Sequence, residues 1–195
     1  FRLPGQEREY RDWRRGGHGH VDLKEALAQS VNTYFFQLAV DMGIDRLSTY
    51  AAQFGFGSPT GIDLPGEASG VLPSREWKHG RFAQPWYPGD TVNVGIGQGY
   101  WVATPLQLAQ AVGMLAAGGK RHPLHLLAAT QDGFDAARVP VPYAEPTESV
   151  VKNPANLAAV VEGMVAVMHG PTGSARAVAL DAPYRIAGKT GTAQR

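Results

Sequence analysis

Two short runs constrain the fold more than anything else in the chain. Thr104-Pro105-Leu106-Gln107 is a capping box with proline at the first helical position. It predicts a helix through Ala117, with Leu106, Ala109, Gln110, Gly113 and Met114 along one face and Gly118-Gly119 after it. Asn153-Pro154 repeats the logic and predicts a helix to about Met168, broken by Gly170. A third helical stretch runs from Val21 to Met42. Asp22 caps its start with Glu25 at the third position, and Gly43 ends it. Its apolar rhythm is interrupted at Ser30-Val31-Asn32. Ser and Asn side chains compete for the backbone, so two helices are expected here, with Ser30 and Asn32 turned to one side of a cleft.

Ile44 to Phe54 has the apolar spacing of a further helix. From Gly55 to Gly97 turn residues dominate, and the region reads as a long loop held down by Trp77, Trp86, Tyr87, Tyr100 and Trp101. Leu124–Ala129 and Val139–Val141 suit a strand or two, and Ser174–Val178 a short helix. Tyr184–Thr192 suits a strand. Within it Gly188 and Gly191 flank Lys189 and Thr190, leaving room for a ligand beside a cation, hydroxyls and backbone N–H groups.

The totals exclude several functions. Hydrophobic residues are 44% and charged residues 18% of 195, as in a globular chain with a sizeable core. A net charge of +1 without a basic block gives no nucleic-acid footprint. No apolar run is long enough to span a bilayer, and no cysteine offers a disulfide or thiol. Gly95-Ile96-Gly97-Gln98-Gly99 lacks the spacing and the Lys-Ser/Thr pair of nucleotide loops. Asp12, His18 and His20 could ligate a metal, but H-x-H is a weak signal and structural zinc takes four protein ligands, so the segment reads as a glycine-rich loop with surface histidines.

Ser30-Val31-Asn32, the run Gly95 to Ala109, and Lys189-Thr190-Gly191-Thr192-Ala193 occur in the order found in the transpeptidase domain of class B penicillin-binding proteins. The runs Tyr34–Asp45, Ser74–Trp77 and Trp86–Asp90 resemble in particular the elongation-specific penicillin-binding protein 2 group of Gram-negative bacteria. The resemblance covers essentially the whole chain. It implies an α+β penicillin-binding/β-lactamase-like fold, here a mainly helical fragment plus the Lys189–Thr192 strand of an antiparallel sheet.

The resemblance also implies roles. The family cross-links peptidoglycan stem peptides through a serine acyl-enzyme and is the target of β-lactam antibiotics. Ser30 would relay a proton to the leaving group and Asn32 would bond the substrate amide. Lys189 would supply positive potential and, with Thr190 and Thr192 around Gly191, hold the terminal carboxylate. The Thr192 N–H would be half of the oxyanion hole. A membrane glycan polymerase of the elongation complex would be the partner, on the periplasmic side of the inner membrane, with the anchor outside this chain. No organic cofactor is implied.

The sequence departs from the family twice. No S-x-x-K precedes Ser30, and Ser149-Val150-Val151-Lys152 falls between the second and third motifs, in the wrong order for the nucleophile. Residues 1–195 therefore read as a partial transpeptidase domain, lacking the upstream motif and the last strands and helix and expected to be inactive alone. Some relatives hold zinc near the second motif through a carboxylate, a histidine and a cysteine. Asp12 and His18 match, but Val31 stands at the cysteine position, so no tight metal site is expected. A related D,D-carboxypeptidase or β-lactamase, and a non-enzymatic β-lactam sensor or scaffold, remain as alternatives.

Overall fold

A computed structural model describes residues 1–192. The element order is α1 (Leu23–Gln29), α2 (Asn32–Met42), α3 (Ile44–Gln53), α4 (Arg75–Phe82), α5 (Pro88–Val94), α6 (Pro105–Ala116), β1 (Ala129–Thr130), β2 (Val139–Pro140), α7 (Pro154–His169) and α8 (Arg176–Ala179). The chain divides into two compact units. One comprises Phe1–Ser48, Pro73–Trp101 and Asn153–Arg195; the other comprises Thr49–Leu72 and Val102–Lys152.

In the first unit α1 packs on α7. Ala26 and Ala28 are buried, and a Cβ at Gly163 would run into the Leu27 side chain, so the two helices approach as closely as glycine allows. The Asp22 carboxylate accepts the Glu25 N–H at 2.8 Å and starts α1, as its sequence predicts. Helix α2 packs on α5 through Phe36 and Val92, which share a cluster with Leu3 and Tyr10. A second cluster joins Ile44, Trp86 and Val94, with Leu47, Tyr100 and Trp101 against it.

The expected long loop between residues 55 and 97 is instead interrupted by two helices. The sequence of α4, Arg-Glu-Trp-Lys-His-Gly-Arg-Phe, has only two large apolar residues and no helical period. Tertiary burial of Lys78 and the Ser74 cap on the Trp77 N–H hold it. Helix α5 begins at Pro88, which reads locally as a turn. Asp90 closes its first turn by accepting the Tyr87 N–H at 2.8 Å. The same carboxylate meets Lys78 Nζ at 2.5 Å, under the rings of Trp86, Tyr87 and Tyr100. Burial works against the Lys78 charge, but the Asp90 hydrogen bond and negative charge outweigh it and raise the ammonium above the usual lysine range.

In the second unit the capping box of α6 is complete. Thr104 Oγ1 accepts from the Gln107 N–H at 3.1 Å, and Gln107 Oε1 accepts from the Thr104 N–H at 2.9 Å. The fully buried Gln107 amide also donates to the carbonyls of Ser58 and Ser69, both at 2.8 Å. β1 and β2 form a two-stranded antiparallel ladder, Ala129 opposite Pro140. Ser149, in the misplaced S-x-x-K run, donates its hydroxyl to the Gly118 carbonyl at 2.7 Å.

The molecule is thus α+β and mainly helical. Residues 184–192 have no ladder partner among the described residues, and a strand exists only by pairing. Their backbone donors go to α7 instead: the Ile186 N–H to His169 Nε2 at 2.9 Å and the Gly188 N–H to the Met164 carbonyl at 3.1 Å. Ile186 packs on Val167, Met168 and Ala179. Ala193, quoted with the third motif, lies outside the described residues.

Candidate active site

The break between α1 and α2 creates the site. Ser30 ends α1 in the left-handed region, φ 56° and ψ 52°, a conformation that costs a non-glycine residue about 1 kcal/mol or more. Val31 next to it is extended and buried, and Asn32 opens α2. Val31 cannot cap a helix with its side chain. The cap comes from Asp12, whose carboxylate accepts the Asn32 N–H at 3.2 Å, the Thr33 N–H at 3.1 Å and the Thr33 hydroxyl at 2.9 Å. Trp13 holds the other side of the turn, its indole N–H donating to the Gln29 carbonyl at 3.0 Å. Two adjacent residues of the N-terminal loop thereby clamp the turn carrying Ser30 and Asn32.

Lys189 faces that turn. Its ammonium donates to Ser30 Oγ at 2.8 Å, the Thr190 carbonyl at 3.0 Å and Thr190 Oγ1 at 3.3 Å. These acceptors are all neutral oxygens, so they hold the cation without cancelling its charge. Partial burial pulls the Lys189 ammonium below the ordinary lysine range. Thr190 Oγ1 also meets Ser174 Oγ at 3.0 Å, and the Ser174 N–H donates to the Ala28 carbonyl at 2.9 Å. The Gln98 amide donates to the Thr192 carbonyl. Gly188 sits where a Cβ would lie 3.0 Å from Met168 Sδ, so glycine lets this strip lie against α7.

Ser30, Asn32, Lys189, Thr190, Gly191 and Thr192 all line one cleft of ≈ 740 Å³. Trp13, Gln98 and Ser174 also line it and carry no motif of their own. Gln98 falls inside the glycine run from Gly95 to Gly99. Nothing local in the sequence marks Ser174 or Trp13, because each is tied to the site by residues far along the chain. The arrangement offers a cation, four hydroxyls and three amides around a half-open cleft, a donor set suited to a carboxylate and a peptide carbonyl.

The N-terminal loop corrects one expectation. His18 is not a surface group: its side chain is 1% exposed, its ring nitrogens have no hydrogen-bond partner, and Nδ1 lies 3.7 Å from Asp12 Oδ2. Those nitrogens and that carboxylate are the two donors the zinc-holding pattern would use. The Asp12 oxygens, however, are committed to capping α2, and the Val31 side chain supplies no donor. No group of three His, Cys, Asp or Glu side chains converges among the described residues. The residues present do not fit a four-ligand zinc site.

A family model described as the penicillin-binding protein transpeptidase domain matches residues 2–195. The chain belongs to the penicillin-binding protein transpeptidase family. It is 46% identical over 196 residues to the peptidoglycan D,D-transpeptidase MrdA of Escherichia coli strain K12, covering all of this chain and 30% of that protein. It is 32% identical to the stage V sporulation protein D of Bacillus subtilis, covering 95% of this chain and 27% of that protein. The crystal structure of Pseudomonas aeruginosa PBP2 in complex with WCK 5153 superposes with a TM-score of 0.88 at 44% identity, covering all of this chain and 43% of that one. Helicobacter pylori PBP2, in a complex with MreC, superposes at 0.86 with 33% identity, over 98% of this chain and 34% of that one. The chain therefore spans about a third of the length of the curated relatives it matches. No helix among the described residues is long and apolar enough to cross a membrane.

Proposed function

We propose that this chain is part of a peptidoglycan D,D-transpeptidase and contributes the second and third motifs of its active site. The contact between Lys189 Nζ and Ser30 Oγ at 2.8 Å carries the reading. It joins two motifs 159 residues apart into one cleft, in the order of the family.

In the proposed reaction a serine from an S-x-x-K segment outside these 195 residues attacks the carbonyl of a D-Ala–D-Ala bond. Its oxygen forms an ester with the acyl carbon, and the amide C–N bond breaks. The proton released by that serine passes to the lysine of its segment and is relayed through the Ser30 hydroxyl to the departing D-alanine nitrogen. The amine of a second stem peptide then attacks the ester, restoring the serine hydroxyl. Lys189 draws the substrate's terminal carboxylate into the cleft. The hydroxyls of Thr190 and Thr192 bond it, and the Asn32 amide aligns the donor peptide. A β-lactam follows the first half-reaction, and its ring-opened acyl group stays on the serine.

The partner is a membrane glycan polymerase. A neighbouring structure similar to this chain, at 35% identity, is described as a peptidoglycan synthase complex coordinating polymerization and crosslinking. The working location is the periplasmic face of the inner membrane, on an anchor outside these residues.

Intact-mass spectrometry after incubation with benzylpenicillin tests the reading. The full-length protein is expected to gain one long-lived adduct, and the 195-residue chain none. An adduct on the 195-residue chain would overturn the assignment of the nucleophile. No adduct on the full-length protein would overturn the transpeptidase reading, and a rapidly hydrolysed one would favour a β-lactamase.

A further inference from the structure

The N-terminal segment is crowded with arginine, and most of its guanidinium groups are engaged. Arg2 and Arg11 both bond the Glu9 carboxylate. Arg8 lies over the Tyr10 ring, 4.9 Å from its centroid. Arg14 and Arg15 differ. Both are exposed, and among the described residues neither has a carboxylate or an aromatic ring against its guanidinium. The nearest carboxylate along the chain, Asp12, is committed to capping α2.

These two arginines are also held at a defined place. The Gly17 N–H donates to the Arg14 carbonyl at 3.0 Å and closes a four-residue turn, in which Gly16 takes φ 92°, a value open to glycine at the third turn position. Both ends of the turn are fixed. Trp13 donates its indole N–H to the Gln29 carbonyl and lines the cleft. His18 is buried, and the Trp13 and His18 rings meet with centroids 5.3 Å apart. Arg14 and Arg15 therefore stand at the mouth of the cleft, one and two residues from a lining side chain. Lys189, inside the cleft, accounts for the terminal carboxylate of the acyl donor. A further pair of free cations at the mouth suits a second anion. The reaction has a second substrate, the stem peptide that supplies the amine, and that peptide too ends in a carboxylate. It arrives when the acyl group already fills the cleft, so it approaches from the open mouth.

We propose that Arg14 and Arg15 form a binding site for the acceptor stem peptide, holding its carboxylate by charge-assisted hydrogen bonds while its amine reaches the acyl-enzyme. This inference rests on the acyl-enzyme reading above.

The test gives the full-length protein a thioester analogue of the D-Ala–D-Ala donor and one of two acceptors. Both acceptors are stem peptides with a free side-chain amine; one ends in a carboxylate and the other in a carboxamide. The donor's C–S bond breaks, its thiol leaves and the acyl group forms an ester with the serine. The acceptor nitrogen then forms an amide as the serine oxygen leaves, or water forms the free acid. The readout is the ratio of transfer product to free acid with each acceptor. Wild type should favour the carboxylate acceptor about tenfold, the scale of one hydrogen-bonded contact to a charged group. Arg14→Ala combined with Arg15→Ala should bring that preference to about one, with the rate of thioester consumption without acceptor within about twofold of wild type. Arg14→Lys with Arg15→Lys, which keeps both charges but not the planar fork, should retain part of the preference.

A wild-type protein that transfers equally well to both acceptors would overturn the proposal. So would a double alanine variant that keeps the tenfold preference, since the carboxylate would then be held elsewhere. A double alanine variant in which thioester consumption falls as steeply as transfer would make the turn a support for the donor site and overturn it as well. A wild type that consumes the thioester without transfer to either acceptor, or does not consume it at all, would refute the transpeptidase reading and this one with it. Transfer without a carboxylate preference refutes this one alone.

Discussion

Lys189 and Ser30 show how much chemistry rests on single side chains. The Lys189 cation is exposed to the cleft, tied to neutral oxygens and partly desolvated, so it is available to a carboxylate. Lys189→Ala in the full-length protein should slow acylation by benzylpenicillin about 10²-fold or more, the scale of one lost electrostatic contact in a preorganised site. Stopped-flow or gel-based acylation kinetics would check it. Because burial lowers the Lys189 pKa, the cation is lost as pH rises through a value below the ordinary ~10.4 of lysine. Acylation should therefore fall on the alkaline side, and Lys189→Arg, which keeps its charge, should remove that limb of the pH–rate profile. The motif residues were legible because their types and order are unusual. Trp13 and Ser174 were not, because a tryptophan after an aspartate and a serine after a glycine carry no local signal. Contacts with the Gln29 and Ala28 carbonyls and the Thr190 hydroxyl give them a place.

Among the elements, legibility followed locality. α1, α6 and α7 start on caps formed by residues two or three positions away, and those caps were readable. The cap of α2 comes from Asp12, twenty positions upstream, and was not. Asp12→Ala should cost about 1–2 kcal/mol in denaturant unfolding, as for a lost helix cap, and should slow acylation through the loosened Asn32 turn. Asp12→Asn, which keeps acceptor oxygen, should recover part of both. Helices α4 and α5 were hidden for a related reason: their sequences lack a helical period, and burial of Lys78 and Val92 stabilises them. The α1–α7 pair depends on Gly163. Gly163→Ala forces a methyl into Leu27 and should destabilise the protein by about 1–3 kcal/mol, visible as a lower melting temperature, with Leu27→Ala as a partial suppressor.

For the molecule as a whole, stability is expected to hinge on a charge the reaction does not use. Lys78 is buried under three aromatic rings with Asp90 as its partner, and Asp90 also starts α5. Its folded pKa is raised, so its contribution is complete below the unfolded value of ~10.4 and is lost as pH climbs through the folded value. Melting curves from pH 8 to 11 should show this as a fall at the alkaline end. Lys78→Ala leaves Asp90 in a largely apolar setting without its cation and should cost about 3–5 kcal/mol, whereas Lys78→Met, which refills the space, should be milder.

The sequence by itself determined the helical character, the capped starts of three helices, the break at Ser30-Val31-Asn32 and the family. Each of these is written in neighbouring residues or in motif order. Tertiary structure alone decided that a loop aspartate caps α2, that His18 is buried beneath Trp13, and that the Lys189 strip docks on α7 without a ladder partner among the described residues. It also decided that Lys189 reaches Ser30 at 2.8 Å. The division has one cause. Hydrogen bonds within a turn are fixed by adjacent residues, while a contact between residues 13 and 29 or 30 and 189 exists only after the intervening chain has folded.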